Sequence, residues 1–369
     1  MIASPSEEHT ALAELVRRFF EETSPSGETR RLMETESGYD EGVWKQMAEE
    51  LGLQSVAVAE ERGGQGLGLA EVGIIARELG RALVCTPYLA TVVLAGGAIE
   101  HAADTRAREE LEGAIAAGEI LALAAQRDLA ATPLSARASA DGFRVRGTQP
   151  HVVDGHIAER ILVAAACESG IGLFRVDGAA RGLERRPLRT FDRTRRLARL
   201  DFDDVPATPI GTPGADGPAL ERALDQATAI LGGEILGGME CVLAAAADYA
   251  RERRQFGRAI GSFQAVKHRA ADMQIATDCA LSLVDHAIES AVVAPDELAL
   301  DASVAKSFVS DAFVQSARDN IQIHGGVGFT WEYDTHLYLR RARSSAVLLG
   351  DTRWHGERIA RLVGVSATA

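Results

Sequence analysis

Cysteine is scarce in this sequence, with only four among 369 residues. Cys85, Cys167, Cys241 and Cys279 lie far apart, and none belongs to a C-x-x-C pair. The histidines likewise show no H-x-x-x-H or other ligand spacing, so the sequence predicts no metal site. We expect the four thiols to be free and buried.

Positive charge and long apolar runs are also lacking. The sequence has 39 Lys and Arg against 53 Asp and Glu, a net charge of −14, which argues against nucleic acid or an anionic membrane surface as a partner. The most apolar window, from Leu83 to Ile99, is interrupted by Pro87 and is short for a membrane span. The first residues lack the basic and apolar regions of a signal peptide. A cytoplasmic protein that binds neither nucleic acid nor membrane is therefore expected.

Hydrophobic periodicity divides the sequence into three segments and predicts an α+β multidomain fold. Residues 1–118 have helical spacing and predict an all-α domain. Over 119–215 the spacing alternates and β-branched residues increase, which predicts a β-barrel or β-sandwich. Helical spacing returns over 216–369, with breaks at 256–262, 293–296 and the Gly325 turn, and predicts a four-helix bundle. The clearest strands are predicted at 143–147, 161–164, 172–176 and 197–202.

Two glycine-containing motifs stand out in the C-terminal helical segment. One is Gln322-Ile323-His324-Gly325-Gly326-Val327-Gly328, which ends a helical pattern. Its glycines can adopt positive φ and let a ligand approach the backbone, and a polar residue at a helix end suits an anion such as a diphosphate. The other is Arg253-Arg254-Gln255-Phe256-Gly257, followed by Gln264.

Together these motifs resemble the C-terminal domain of the acyl-CoA dehydrogenase family, which carries R-x-x-F-G, a Gln after it and Q-x-x-G-G-x-G. The resemblance covers most of the chain, because the loop from Glu60 to Gly68 resembles the E-x-x-G-G-x-G-x-G segment of that family's N-terminal domain. It implies a flavoprotein that oxidises the Cα–Cβ bond of an acyl-CoA substrate. FAD would accept the hydride, and an electron-transferring flavoprotein would take the electrons onward.

The resemblance also implies an oligomer, because each flavin site of this family is built from two chains. One chain supplies the R-x-x-F-G, Gln and Q-x-x-G-G elements to the diphosphate and adenine of its neighbour's flavin. A guanidinium and backbone amides are groups that bind anionic oxygens. The cofactor-binding residues implied in this chain are Arg253, Phe256, Gln264, Gln322, Gly325 and Gly326.

The half of the site that holds the flavin ring is incomplete in this sequence. Family members hold the ring with a strand ending in T-E-P-x-A-G-S-D and with a later aromatic-x-Thr segment. This chain has Ala124-Ala125-Gln126-Arg127-Asp128 at the first place, and His151 and Val153 at the second. Only Gly147-Thr148 is retained.

The catalytic base is also absent from the positions where the family carries it, so the catalytic residue is left unassigned. Alignment of Leu349-Gly350-Asp351-Thr352 with the E-G-T motif of most members places Gly350 at the base. The isovaleryl-type position falls near Ala227. The remaining candidate acids are Asp351, which is one residue away, and Glu234, about two helical turns beyond Ala227.

Three hypotheses account for this pattern. In the preferred one, the chain is a subunit of an α2β2 acyl-CoA dehydrogenase and donates the diphosphate and adenine half-site to a homologous partner, because that half alone is intact. The resemblance associates such tetramers with bulky substrates such as steroid side-chain thioesters, although the sequence does not define the acyl group. In the second, a complete homotetramer uses Asp351 or another acid as base. In the third, the chain is a non-enzymatic scaffold subunit.

Overall fold

The computed structural model describes residues 6–140 and 142–365. The order of secondary structure is helices, then a sheet, then long helices. The N-terminal helices are α1 (Glu7–Thr23), α2 (Ser26–Leu32), α3 (Glu41–Glu49), α4 (Leu69–Arg81), α5 (Gly96–Ala102) and α6 (Thr105–Ala116). The central strands are β1 (Leu121–Ala124), β2 (Leu134–Ser139), β3 (Gly142–Val153), β4 (Arg160–Cys167), β5 (Gly170–Asp177), β6 (Leu183–Pro187) and β7 (Leu197–Pro209). The C-terminal elements are α7 (Gly217–Glu252), β8 (Arg254–Gln255), β9 (Arg258–Ala259), α8 (Gln264–Val293), α9 (Leu298–His324), α10 (Thr335–Val347) and α11 (Thr352–Leu362).

The central strands form a closed sheet, which agrees with the predicted β region. Strand β4 pairs with β2 and β5, β3 joins β2 to β7, and β7 also pairs with β5, so five strands make a complete circuit. Strand β1 adds to β4 in parallel, and β6 adds to β7. The residues Ile161 to Ala165 of β4 are fully buried, as expected for a strand covered on both faces.

The C-terminal helices begin and end close to the predicted breaks, but the fourth predicted helix is divided. Helices α10 and α11 replace one long helix, because the chain turns at Leu349 and Gly350, whose φ angles are 58° and 100°. A continuous right-handed helix cannot contain these left-handed residues. The division places Asp351 directly before α11.

The described residues pack into two compact units, each with its own core. The first comprises Met1–Arg30, Gly73–Val84 and Thr228–Ala369, and the second comprises Arg31–Val72 and Cys85–Ala227. These units are sets of packed residues, not continuous segments, and the domain boundaries 1–118, 119–215 and 216–369 remain predictions.

Helices α4 and α7 approach each other closely within the first unit. A Cβ atom on Gly237 would lie 1.8 Å from the carbonyl oxygen of Arg77, and one on Gly80 would lie 1.9 Å from that of Glu234. Only glycine fits at such a backbone contact. Arg77 and Arg81 form ion pairs with Glu240 beside this contact, which reinforces the packing of α4 against α7 within the first unit.

Helix α7 is long and apolar enough to cross a membrane by length and composition alone, but 72% of its most apolar window is buried inside the protein. This burial is typical of a core helix.

The four cysteines are free, as expected. The prediction that all are buried is wrong, because Cys279 is exposed on α8 and two others are only half-buried.

Candidate functional site

The R-x-x-F-G motif forms a β-hairpin with a two-residue loop at the end of α7. Strands β8 and β9 pair through Gln255 and Arg258, and the loop consists of Phe256 and Gly257 with φ angles of 53° and 78°. Two positive φ angles define the type I′ turn that fits the twist of a hairpin. A left-handed phenylalanine costs about 1–2 kcal/mol, so the turn holds this side chain in a strained position.

The hairpin presents an apolar side chain surrounded by positive charge. Phe256 is 91% exposed, and its ring meets the edge of the Phe263 ring at 6.1 Å between centroids. Arg253, Arg254 and Arg258 are exposed, and none forms a salt bridge with any residue of the described part of the chain. An exposed strained aromatic beside unpaired guanidinium groups is suited to an anionic ligand or partner with an apolar surface.

Gln264 is the first residue of α8, immediately after the hairpin. No side chain caps this end of the helix, so its first backbone N–H groups are available to an acceptor. The guanidinium of Arg258 lies 4.1 Å from the centroid of the Phe263 ring, which fixes the hairpin against the start of α8. Helix α8 has 30 residues, and its dipole adds positive potential here.

The three glycines of the Q-x-x-G-G-x-G motif differ in whether the fold requires glycine at their positions. Gly325 has φ 68° and ψ −145°, a conformation that is open essentially to glycine alone. A Cβ on Gly328 would lie 3.0 Å from His324 and Ile321, so packing restricts this position. Gly326 has neither restriction, because its φ is not positive and a Cβ would meet nothing within 4 Å. Of the three glycines that can adopt positive φ, only Gly325 does so here.

The motif is at the C-terminal end of α9, where Gly325 donates its N–H back to the carbonyls of Gln322 and Ile321. The dipole of α9 is negative at this end. The attraction for an anion must then come from Arg253 and the start of α8, whereas Gln322 and Gly326 supply an exposed amide side chain and an open backbone surface.

A cluster of aromatic rings joins the ends of α7 and α9. Tyr249, one turn before Arg253, stacks on His324, which also meets the edge of Tyr333 at 5.3 Å between centroids. Burial lowers the pKa of His324, and its Nδ1 lies 2.9 Å from the carbonyl oxygen of Asn320, so the neutral ring is held in place. The structure thus brings together the two predicted motifs.

The stretch that matches the flavin-ring segment of the family is occupied by contacts within this chain. The guanidinium of Arg127, 6% exposed, donates to Glu221 at 2.8 Å and also pairs with the buried carboxylate of Asp225. Asp128 caps the short turn Leu129–Ala131 by accepting from Ala130. These side chains serve the fold of the second unit.

The later ring segment is similarly occupied. The retained Thr148 donates its hydroxyl proton to Asp201, and the ion pair with Arg199 and this hydrogen bond lower the pKa of Asp201 to about 2. His151 is exposed and Val153 is buried in the core. Neither position offers the aromatic face or the threonine hydroxyl that the family pattern requires.

In the loop expected to carry the base, the acid Asp351 caps a helix. Asp351 is the N-cap of α11, and its Oδ1 accepts a hydrogen bond of 2.8 Å from the backbone N–H of Trp354. At Gly350, a Cβ would lie 2.8 Å from the Trp354 ring and 3.0 Å from His355. The packing around Gly350 leaves no room for the glutamate that most members carry there.

Lys306, which the sequence analysis does not single out, forms hydrogen bonds that hold the loop containing Gly350. It is 1% exposed and donates to the carbonyls of Gly350 at 3.1 Å and Ala346 at 3.2 Å and to the Ser310 hydroxyl at 2.9 Å. Burial lowers the pKa of Lys306 to about 7, although the negative charges of Asp351 and Asp311 oppose the shift. The only sequence signal would have been a lysine on an otherwise apolar helix face.

Glu234, the other candidate acid, is committed to a buried ion pair. Its carboxylate accepts a hydrogen bond of 2.6 Å from Arg341, and the two side chains are 9% and 5% exposed. Removal of one partner from such a pair leaves an uncompensated buried charge and costs about 3–5 kcal/mol. The geometry gives Glu234 a structural role, and Ala227 is an apolar residue that is fully buried.

Comparison with known proteins agrees with this geometry. The acyl-CoA dehydrogenase N-terminal domain model matches residues 6–119, and the C-terminal domain model matches residues 217–364. Acyl-CoA dehydrogenase IpdE2 of Mycobacterium tuberculosis is 34% identical over 350 residues, which cover 95% of each chain. The chain belongs to the acyl-CoA dehydrogenase family.

Two solved structures are also similar over almost the whole chain. A variant of the Tcur3481-Tcur3483 steroid ACAD has a TM-score of 0.90 at 31% identity, covering 98% of this chain and 99% of that chain. The ChsE4-ChsE5 complex from Mycobacterium tuberculosis has a TM-score of 0.91 at 27% identity, covering 100% of both chains. The acyl-CoA dehydrogenase fold, with N-terminal helices, a middle β region and a C-terminal helical domain, is therefore established.

Acyl-CoA dehydrogenases are FAD-dependent oxidoreductases, and this chain fits only one end of that cofactor. The open Gly326 surface and the unpaired Arg253 suit the diphosphate end. At the ring end, Arg127 of the matching segment is held in ion pairs within this chain, and the aligned base position carries Gly350, with the neighbouring Asp351 capping α11. The residues present thus fit the diphosphate end of FAD and do not fit its ring end.

Proposed function

We propose that this acyl-CoA dehydrogenase chain is one subunit of an α2β2 hetero-oligomer with a homologous partner. It binds the diphosphate and adenine of a FAD whose ring, catalytic base and acyl-CoA substrate lie in the partner. The residues donated to that flavin are Arg253, Phe256, Gln264, Gln322, Gly325 and Gly326.

The contrast between the two half-sites carries this proposal. Phe256 is strained and 91% exposed, and the guanidinium groups beside it have no ion-pair partner in the described parts of the chain. Arg127 and Asp351, by contrast, have structural partners where the ring and base would be served. A chain decaying without function would be expected to lose both halves, and a complete enzyme would be expected to keep both.

The relatives support the same assembly and a bulky substrate. One similar structure is a complex of two different chains by its name, and another is a steroid ACAD. We therefore propose that the acyl group is large and steroid-derived. An electron-transferring flavoprotein as the acceptor and a cytoplasmic location remain predictions from the sequence.

Each donated residue has a distinct physical task in this proposal. When bound, FAD supplies the hydride acceptor for α,β-dehydrogenation of the thioester. The Arg253 guanidinium binds anionic oxygens, and the surface of Gly326 lets the nucleotide approach the backbone. Phe256 covers the nucleotide with apolar surface and excludes water. Since Gly350 stands at the aligned base position and Asp351 caps α11, we assign proton abstraction to the partner.

The proposal is tested by co-expression with a homologous acyl-CoA dehydrogenase subunit, comparing Arg253→Ala with Arg254→Ala as a matched control. Both variants remove one exposed arginine from the same hairpin region. We expect the purified Arg253→Ala complex to lose most of its flavin absorbance while the Arg254→Ala complex keeps it. Equal flavin content in both complexes would contradict the half-site and favour the scaffold hypothesis.

A further inference from the structure

His336, on α10, is buried with neither of its ring nitrogens satisfied. The residue is 8% exposed, and Nδ1 and Nε2 have no hydrogen-bond partner within residues 6–140 and 142–365. A neutral imidazole has one N–H donor and one acceptor nitrogen, so both of these groups lack a bond. Buried polar groups are ordinarily satisfied, and an exception needs a physical explanation.

Trp331 lies against the ring of His336 on the side that faces solvent. The two rings meet edge to face, with 4.5 Å between their centroids and an angle of 79° between their planes. The guanidinium groups of Arg30 and Arg340 lie 5.6 Å and 5.5 Å from the centroid of the indole, within the range of a cation–π contact. Trp331 itself is 58% exposed. Because so much of the indole faces water, it can move outward without disturbing the buried core.

The surroundings of His336 oppose its protonation. Burial lowers the pKa of His336 from its ordinary value of 6.5, and the positive charges of Arg340 on α10 and Arg30 on α2 add to this shift. Asp334, at the start of α10, acts in the opposite direction, but its carboxylate already accepts hydrogen bonds from Arg30. A protonated ring in this position would bury two charged N–H donors that find no acceptor among the described residues.

Trp331 belongs to a short segment that is joined to the glycine turn of the half-site. Thr335, at the start of α10, donates its hydroxyl proton to the carbonyl of Gly328. Tyr333 meets the edge of His324, the residue before the turn, at 5.3 Å between ring centroids. Trp331 lies between Gly328 and Tyr333 in sequence. A displacement of its indole would therefore be transmitted to the backbone of the turn.

We propose that His336 and Trp331 form a pH-sensitive switch that controls how firmly the half-site holds its flavin. This proposal rests on the proposed function. With His336 neutral, the indole stays against the imidazole and the glycine turn keeps the geometry that receives the nucleotide. When His336 takes up a proton, the imidazolium reaches water by displacing the indole, and the turn binds the nucleotide less tightly. The mixed complex therefore releases FAD on acidification.

Proton uptake on opening determines the direction of the pH dependence. In the open state the solvated imidazole of His336 has its ordinary pKa of 6.5, whereas in the closed state the pKa is lower. The closed state is therefore fully favoured above pH 6.5. Below this pH the ratio of closed to open molecules should fall by up to about tenfold per pH unit, because one proton is bound on opening.

The test follows Trp331 by fluorine NMR in protein labelled with 5-fluorotryptophan. The chain has three tryptophans, so the resonance of Trp331 is assigned by its loss in Trp331→Phe. We expect this resonance to change on acidification from about pH 7.5 to about pH 5, with a midpoint below 6.5. In His336→Phe, which keeps a ring against the indole but binds no proton, the resonance should stay constant. His336→Gln gives a second variant without a titratable ring.

The control is His286→Gln, which removes an exposed histidine from α8 and should titrate as wild type does. A Trp331 resonance that does not change with pH in wild type would overturn the switch. An equal change in wild type, His336→Phe and His336→Gln would overturn it as well, because the proton would then bind elsewhere.

FAD binding by the mixed complex separates the switch from the proposed function. Dissociation constants for FAD are measured at about pH 7.5 and about pH 5.5. We expect wild type to bind FAD at least about threefold more weakly at the lower pH, and this difference to be absent in His336→Phe. If Trp331 titrates but the two proteins show the same pH dependence of FAD binding, control of the half-site is overturned. If Arg253→Ala leaves the FAD content unchanged, the proposed function fails while the movement of Trp331 stands.

Discussion

Tyr249 and His324 stack with their ring centroids 4.1 Å apart and their planes inclined by 21°. This contact joins the end of α7, which continues into the hairpin, to the end of α9, which continues into the glycine turn. Two motifs separated by about 70 residues in sequence are thus held as one surface. Neither ring of the stack is among the proposed flavin contacts, so we assign the stack a positioning role.

Replacement of Tyr249 tests this positioning role. Tyr249→Ala removes a stacked pair worth about 0.5–1.5 kcal/mol, and we expect it to lower the flavin affinity of the mixed complex several-fold while the chain stays folded. Tyr249→Phe keeps the ring and should retain flavin. The measurement is flavin release on dilution, and equal release from both variants would argue against the role.

A substitution at Gly326 tests flavin binding without an expected effect on the stability of the chain. A methyl group at Gly326 meets nothing within 4 Å, so Gly326→Ala should leave the free energy of unfolding within about 0.5 kcal/mol of wild type. If a nucleotide approaches this backbone, the same methyl group should reduce the FAD content of the complex. Gly356→Ala, also at an open glycine, is the control and should retain FAD. Full flavin content in both variants would exclude close approach at Gly326.

Two substitutions at Asp351 distinguish a helix-capping role from a catalytic role. Asparagine caps helices as well as aspartate does, so Asp351→Asn should keep both stability and the activity of the mixed complex. Asp351→Ala should cost about 1 kcal/mol of unfolding free energy through loss of the bond to Trp354. Were Asp351 the base of a complete homotetramer, both variants would be inactive in a dehydrogenation assay, and the asparagine variant decides the matter.

The lowered pKa of Lys306 leads us to expect a specific dependence of stability on pH. Burial lowers the pKa of Lys306 to about 7 from the ordinary 10.5, so between these pH values the unfolded chain binds more protons than the folded chain. Wild type should therefore gain stability relative to Lys306→Met as pH rises above 7, by up to about 1.4 kcal/mol per pH unit, and the difference should be constant below pH 7. Urea denaturation of both proteins at several pH values measures this, and parallel curves above pH 7 would refute the shifted pKa.

Much of the fold could be predicted from the sequence, because long helices and buried strands have strong periodicity. Strand β6 is not among the strands that hydrophobic alternation predicts, since its Leu-Glu-Arg-Arg-Pro sequence is polar and it pairs with β7 at the edge of the sheet. The split between α10 and α11 was missed because Leu349, a helix-forming residue, is left-handed there. Tertiary packing decides such positions.

The candidate site could be predicted as motifs but not as geometry. The R-x-x-F-G pattern gave no sign of a hairpin turn, because phenylalanine rarely adopts a positive φ. The sequence also could not show that Gly325 is required by its backbone conformation while Gly326 is not. The burial of Lys306 depends on side chains far apart in the sequence.

The stoichiometry of FAD per chain tests the central claim most directly. It is measured by absorbance for this protein expressed alone and then co-expressed with a homologous acyl-CoA dehydrogenase subunit. The split-site account predicts little flavin in the chain alone and about one FAD per two chains in the mixed complex. About one FAD per chain in the protein alone would contradict it and would show that the chain has a complete site of its own.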